Sequence, residues 1–122
     1  MAKSVRRNEI WMVQFNSETN GLTRGYRPAI VVSNDFANTN RDCMITTVVP
    51  LTSSTIKGGL PTHVRIKAND KTNKLNGDSI ALTEQLITVN RENDIRFCLG
   101  KLTDEEVVEL NKALMISVGI FM

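Results

Sequence analysis

Residues 27–35, with the sequence RPAIVVSND, predict a β-strand and the turn that ends it. Small and β-branched residues fill positions 29–33 (AIVVS), which is typical of a buried strand. Pro28 cannot donate to a sheet ladder, so we expect it at the start of this strand rather than inside it. The Asn-Asp pair at 34–35 is of the kind that caps helices, and it predicts a short helical turn running toward residue 40.

Short strand-like segments occur on both sides of this stretch, separated by loops rich in Ser, Thr, Asn and Gly. The strand candidates are residues 10–15 (IWMVQF), 44–51 (MITTVVPL), 63–66 (HVRI), 79–89 (SIALTEQLITV) and 97–99. The segment 79–89 is long enough to bend. Pro50 marks an edge or a bulge in the strand predicted at 44–51. Loops are predicted at residues 16–27, 53–59 and 67–77.

A long helix is predicted only near the end of the chain. Residues 103–106 (TDEE) form a capping box, in which Thr103 and Glu106 each accept the backbone N–H of the other. Apolar residues then recur at helical spacing up to Gly119, namely Val107, Leu110, Leu114 and Val118. These elements predict one domain over residues 1–122, a small bent sheet or barrel closed by a C-terminal helix.

Composition is that of a globular protein. The chain has 122 residues, of which 41% are hydrophobic, and 15 Lys and Arg against 13 Asp and Glu leave a net charge of +2. No apolar stretch approaches the ~20 residues of a membrane span, and the first residues lack the apolar core of a secretory signal. Cys43 and Cys98 are expected to be reduced, buried thiols, so we predict a cytoplasmic protein.

Histidine content limits the chemistry that the chain can perform. His63 is the only histidine, which excludes a two-histidine acid/base pair and a histidine-rich zinc site. We therefore expect no metal and no other cofactor. Basic residues cluster before Glu9 and between positions 57 and 74, whereas acids gather at 104–109. The basic segments predict a phosphate-facing surface, although solvated loops would carry the same charges.

The segment 24–28 (RGYRP) is the most suggestive for ligand binding. Arg24 and Arg27 present planar forks of donors suited to a phosphodiester, and Tyr26 could stack on a base. The alternative is a pair of solvated arginines on a flexible loop.

Two further polar groups interrupt apolar segments. Thr52 and Ser53 open a hydroxyl cluster at a strand end, where they could bind phosphate oxygens or simply satisfy turn backbone groups. Glu84, which Gln85 follows, lies within a predicted strand, so its carboxylate must face a wet groove or pair with an arginine. His63 is interpreted as a structural hydrogen-bonding residue.

Six segments in order resemble the MazF/PemK family of bacterial toxins, from about residue 6 to residue 120. They are residues 7–11 (RNEIW), 27–35, 49–52 (VPLT), 60–64 (LPTHV), 84–85 (EQ) and the helical segment 107–119. One departure is Asn8, where the family most often has glycine, and it changes a turn residue rather than a site residue.

The resemblance implies a mainly β fold with α, the SH3-like small β-barrel of plasmid-maintenance toxins with a C-terminal helix, in a homodimer. It implies a sequence-specific endoribonuclease that cuts single-stranded RNA without a metal. The family's catalytic arginine and threonine fall on Arg27 and Thr52. The RNA-binding candidates are Arg24, Asn34, Ser53 and Gln85.

Cleavage by attack of the 2′-hydroxyl requires removal of a proton, protonation of the leaving oxygen and stabilisation of charge on the phosphate. Arg27 suits charge stabilisation, because a guanidinium is too basic to act as a proton acceptor. Thr52 would orient the phosphate or the 2′-hydroxyl, and Glu84 is the candidate for proton transfer. The expected products carry a 2′,3′-cyclic phosphate or a 3′-phosphate, with 5′-hydroxyl ends.

The resemblance also implies partners. An acidic, MazE-like antitoxin would inhibit the toxin by filling its RNA groove, and the toxin–antitoxin complex would bind operator DNA. Two other functions fit the same fold: a non-catalytic toxin that poisons DNA gyrase, and an SH3-like module that binds nucleic acid without cutting it.

Overall fold

Seven strands and two helices make up the computed structural model, which describes residues 2–16, 18, 21–53 and 59–120. The elements are β1 (Glu9–Asn16), β2 (Arg24–Val31), α1 (Asp35–Asn38), β3 (Ile45–Thr52), β4 (His63–Ile66), β5 (Ser79–Leu82), β6 (Ile87–Asn90), β7 (Ile95–Lys101) and α2 (Asp104–Ser117). The paired strands are antiparallel and lie in the order β4-β5-β3-β2-β1-β7, with β6 also paired to β3.

Strand β3 changes partner along its length and so bends the sheet. Its first half pairs with β6 up to Val48, and its last two residues, Leu51 and Thr52, pair with β5. Pro50 lies between these two ladders, opposite Ala29 of β2. A residue without an N–H is tolerated at such a change of partner. The predicted edge or bulge at Pro50 therefore coincides with the corner of the sheet.

Two buried clusters pack on the two faces of the sheet. One lies between the sheet and α2 and includes Ile30, Leu51 and Leu110. The other lies on the opposite face and includes Val31 and Val48. Because successive residues of a strand point to opposite faces, the middle of β2 and β3 must be apolar at every position. This explains the continuous apolar runs in both segments.

A loop, rather than strand pairing, joins the two ends of the sheet. Residues after β4 run beside β7, through the bridge between Asn73 and Gly100 and the hydrogen bond from Lys101 N to Thr72 O at 2.9 Å. A Cβ on Gly100 would collide with the Thr72 carbonyl oxygen and lie 2.7 Å from Asn73 Cα. The mainly β fold with a C-terminal helix is confirmed, and the expected barrel is an open sheet sealed by a loop.

Both helices begin at the residues that the sequence predicts. The Asn34 side-chain oxygen accepts from Ala37 N at 3.0 Å, which caps α1. Thr103 and Glu106 form the complete capping box of α2, with bonds of 2.9 and 3.2 Å. None of the helices within the described residues is long and apolar enough to cross a bilayer.

The loop predicted at residues 16–27 is wrong at its end, because β2 begins at Arg24. Pro28 consequently lies inside the strand, opposite Met12 of β1. The β3 ladder begins only at Ala29, so Pro28 has a strand neighbour on one side, where a missing N–H is tolerated. Of the loop predicted at 53–59, residues 54–58 lie outside the described residues.

Two other expectations are also wrong. The single bending strand predicted at 79–89 is two strands, separated by a turn in which Gln85 N donates to Leu82 O at 2.9 Å. The expected burial of both thiols is not observed, since Cys98 is exposed and Cys43 is half-buried, both as free cysteines. Residues 96–98 of β7 are all exposed, so Cys98 lies on a part of the strand that faces solvent.

Candidate active site

Arg27 of β2 and Thr52 of β3 lie just beyond the ladder that joins the two strands. The ladder ends at the paired residues Ala29 and Pro50, so each of the two residues is two positions past the last pair. Because side chains two positions apart in a strand share a face, we expect both side chains on the face of Ala29 and Pro50. Arg27 is exposed and Thr52 is half-buried. We call these two residues the Arg27/Thr52 pair.

The pair lies just beyond the buried cluster on that face. Val31 and Val48, on the same face and further along the two strands, are fully buried. Among the described residues, the side chain of Arg27 makes no hydrogen bond and no ion pair, so its guanidinium donors are open to a ligand. A cation and a hydroxyl on one exposed face form a site suited to a phosphodiester.

Gln85 connects the β1–β2 loop to the segment before β6. Its side-chain oxygen accepts from the backbone N and from the hydroxyl of Thr23, both at 2.9 Å, and its side-chain nitrogen donates to Gly21 O at 3.2 Å. Thr23 directly precedes β2, so these bonds hold the start of the strand that carries Arg27. The amide oxygen already accepts two hydrogen bonds. The amide nitrogen uses one of its two N–H groups, so one N–H remains for a substrate.

The other RNA-binding candidates lie at different distances from the pair. Ser53 is exposed and directly follows Thr52. Arg24 is exposed at the start of β2, beyond Gly25, whose φ of +81° requires the freedom of glycine. Asn34 follows the other end of β2, more than ~13 Å along the strand from Arg27. The structure therefore groups Ser53 with the pair, and it separates Asn34, which caps α1.

Glu84 has His63 as its partner rather than an arginine. The Nε2 atom of His63 lies 3.0 Å from Oε2 of Glu84, and the two side chains are 10% and 39% exposed. Burial raises the pKa of Glu84, but hydrogen bonds from its own backbone N–H, from His63 and from Thr62 outweigh that effect and leave the pKa lowered. Glu84 is therefore ionised at neutral pH and is a weak proton acceptor.

Glu84 lies in the turn after β5, the strand in which Ile80 is opposite Thr52. The contact of its carboxylate with His63 at 3.0 Å differs from the predicted pairing with an arginine.

Tyr26 lies on the face of β2 opposite to Arg27, since neighbouring residues of a strand alternate. It is 54% exposed, and the Arg96 guanidinium lies over its ring, 5.4 Å from the centroid. Arg96 belongs to β7, and β1 separates β7 from β2. No local sequence signal could indicate this contact, because it depends on the strand order.

A cleft of about 250 Å³ opens beside the bond between Gln85 and Thr23. Its lining includes Thr23 and Leu22 from the β1–β2 loop and Ile87 from β6. Within the same described part of the chain, no three His, Cys, Asp or Glu side chains are grouped as a metal site.

Comparison with known proteins identifies relatives of the whole chain. Over 116 residues the chain is 30% identical to the endoribonuclease MazF of Staphylococcus saprophyticus, covering 95% of this chain and 92% of that protein. The crystal structure of MazF from Deinococcus radiodurans superposes with a TM-score of 0.74 at 18% identity, over 96% of this chain and 98% of that chain. A mycobacterial endoribonuclease in complex with its cognate antitoxin gives a TM-score of 0.72 at 22% identity, over 97% and 98% of the two chains.

The fold defines a class, a mainly β toxin domain with a C-terminal helix. Residues 6–118 match the family of PemK-like, MazF-like toxins of type II toxin–antitoxin systems. The chain belongs to this family.

Proposed function

We propose that the protein is an endoribonuclease that cuts single-stranded RNA at specific sequences, without a metal ion. The observation that carries the proposal is the Arg27/Thr52 pair, an exposed guanidinium and a hydroxyl that each lie two positions beyond the paired residues Ala29 and Pro50. Family membership and the Staphylococcus saprophyticus relative, which is named as an endoribonuclease, support it.

In the proposed reaction the 2′-hydroxyl attacks the adjacent phosphate and displaces the 5′-oxygen of the next nucleotide. The Arg27 guanidinium binds the phosphate oxygens and stabilises the charge that develops on them. Thr52 orients the phosphate or the 2′-hydroxyl. The products carry a 2′,3′-cyclic phosphate, or a 3′-phosphate after its hydrolysis, and a 5′-hydroxyl.

The remaining candidates receive graded roles. Ser53 and Arg24 contact the RNA beside the pair, and Gln85 both holds the β1–β2 loop and offers one N–H to the substrate. Asn34 contacts the RNA only where the RNA extends past the far end of β2. Glu84, which contacts His63 at 3.0 Å, is the candidate for proton transfer.

Partners follow from the family. A MazE-like acidic antitoxin competes with RNA for the basic face of a toxin homodimer, in the cytoplasm, and the toxin–antitoxin complex binds operator DNA. The mycobacterial and Deinococcus radiodurans complexes with antitoxins support the antitoxin as partner. An acidic disordered tail suits a surface that has open guanidinium groups.

The deciding experiment incubates a long single-stranded RNA with the protein in EDTA, beside the variants Arg27→Ala and Arg41→Ala. Arg41 is also exposed, but it lies in the loop after α1, away from the pair. Discrete fragments from the wild type and Arg41→Ala, and none from folded Arg27→Ala, are expected. Sequencing the ends gives the recognition motif, and a duplex of that site should resist cutting because its bases cannot be splayed out.

The alternatives make different predictions in the same assay. A gyrase-poisoning toxin leaves RNA intact and inhibits supercoiling, and a binding module shifts RNA without cutting it. Either result from a folded wild-type protein would overturn the proposal.

A further inference from the structure

Three strands place one cross-strand row of side chains beside Arg27. Thr52 of β3 is opposite Ile80 of β5, and Ile80 is opposite Arg65 of β4. The paired row reads Thr52, Ile80, Arg65, and Arg27 of β2 extends it beyond Thr52, past the last β2–β3 pair. Paired residues share a face, so Arg65 lies on the same face as Thr52, at the far end of the row.

Burial along these strands agrees with this alternation. Leu51, Ala81 and Val64, the neighbours on the other face, are buried in the cluster beneath α2. Ile80 is half-buried and Arg65 is exposed. The row is therefore a surface feature with a cation at each end and a hydroxyl and an apolar side chain between them.

Within the described part of the chain, the side chain of Arg65 makes no hydrogen bond and no ion pair. The next row on the same face contains His63, opposite Leu82. The carboxylate of that neighbourhood, Glu84, is engaged by His63 at 3.0 Å. Nothing among the described residues neutralises the guanidinium of Arg65.

We infer that Arg65 binds a backbone phosphate of the RNA substrate, a few nucleotides from the bond addressed by Arg27 and Thr52. This inference rests on the proposed ribonuclease function. Adjacent strands are ~4.8 Å apart, so the two steps of the paired row separate Thr52 and Arg65 by ~10 Å. Stacked nucleotides advance ~3.4 Å each, so about three nucleotide steps span this distance.

The inference assigns the substrate a direction across the sheet. RNA crosses β2, β3, β5 and β4 along the row, with the half-buried Ile80 as an apolar floor between two phosphate contacts. The contact at Arg65 is a phosphate contact, so it adds affinity without reading a base. It extends the binding site on one side of the cut only.

The test measures kcat and KM on a site-containing RNA for the wild type, Arg65→Ala, Arg65→Lys and Lys112→Ala. Lys112→Ala is the matched control, because it also removes one exposed cation, from α2 on the other side of the sheet. Each protein is also tested on two shorter RNAs, trimmed to one nucleotide on the 5′ or the 3′ side of the cut. The salt dependence of kcat/KM is measured with the long RNA.

We expect Arg65→Ala to raise KM for the long RNA about 5- to 20-fold, with Arg65→Lys in between and Lys112→Ala unchanged. The defect should vanish on one of the two trimmed RNAs, and the salt slope should fall by about 0.7. Equal defects on both trimmed RNAs, or no difference from Lys112→Ala, would overturn the inference while leaving the ribonuclease intact.

Failure of the proposed function has a separate signature. If the wild type cuts no RNA, the same variants are compared for binding to a single-stranded RNA by fluorescence anisotropy. A loss confined to Arg65→Ala and relieved by one-sided trimming supports the contact, and wild-type protein that does not bind RNA overturns it. If Arg65→Ala loses antitoxin binding but keeps RNA affinity, Arg65 contacts the antitoxin and the inference is overturned.

Discussion

The side-chain oxygen of Gln85 accepts two hydrogen bonds from Thr23, one from its backbone nitrogen and one from its hydroxyl, both at 2.9 Å. The two residues belong to different loops, 62 positions apart in the chain. Their bonds hold the start of β2 against the segment that precedes β6. The position of Arg27 on β2 therefore depends on Gln85, which acts on it through Thr23 and the backbone of β2.

Gln85→Met should reduce cleavage by ten-fold or more and cost about 1–2 kcal/mol of unfolding free energy, because it removes the acceptor of Thr23. Thr23→Val removes the hydroxyl donor alone and should cost less. A double-mutant cycle in urea unfolding and in kcat/KM checks the contact, with an expected coupling of about 1 kcal/mol. Strictly additive effects would show that the bonds do not hold the loop.

Asn8 has a φ of +74° in the turn before β1, a conformation that glycine adopts without strain. Asn8→Ala should lower the unfolding free energy by about 1 kcal/mol more than Asn8→Gly, because alanine is strained in the left-handed region. Both variants lose the bond from Arg7 to the Asn8 side chain, so their difference isolates backbone strain. Urea denaturation measures it, and equal stabilities would contradict the explanation.

Arg91 is 3% exposed and is bound by carbonyl groups of two separate segments. Its guanidinium donates to Cys43 O at 2.6 Å, to Asn40 O at 3.1 Å and to Lys3 O at 3.0 and 3.1 Å. Arg91→Lys keeps the charge but not the planar fork of donors, so we expect a loss of about 2–4 kcal/mol.

The control for this change is Arg41→Lys, at an exposed position of the neighbouring loop. It should alter stability by less than about 0.5 kcal/mol. Both variants are compared with the wild type in urea denaturation. A small effect of Arg91→Lys would show that the carbonyl groups are satisfied by an ammonium.

Acid should destabilise the protein through two carboxylates. Hydrogen bonding from Arg7 N is the main cause that lowers the pKa of Asp35 below its ordinary value of 3.8. Burial opposes the shift at Glu84, but its hydrogen bonds still lower the pKa below 4.5. A pKa lower in the folded state means that stability is present above the unfolded value and is lost as the pH falls through the folded value.

Unfolding free energies measured from about pH 7 down to about pH 3 should therefore decline below about pH 4.5. Glu84→Gln and Asp35→Asn should each flatten part of that decline, since neither side chain can be protonated. An unchanged pH profile in both variants would assign the acid sensitivity to other groups.

The local signals in the sequence were sufficient for the helix caps and for one short strand. The pair at 34–35 predicted the cap of α1, and residues 103–106 predicted the capping box of α2, because a cap depends on side chains within one turn. The strand at His63–Ile66 was predicted with its observed bounds.

Prediction failed where a neighbour distant in the chain decides the outcome. Pro28 is tolerated inside β2 only because β3 begins to pair at Ala29. The segment from 79 to 90 divides into β5 and β6 because β3 pairs with both strands at different points. Neither fact can be read from the residues of the segment itself.

The sequence by itself determined the type of the elements, the short-range caps and the resemblance that points to Arg27 and Thr52, because these depend on neighbouring residues and on ordered motifs. Tertiary structure alone decided that Thr52 and Arg65 share one face, that Glu84 meets His63, and that Gln85 holds Thr23. The physical reason is that strand order and register set which distant side chains are neighbours, and each depends on the packing of the whole sheet rather than on any single segment.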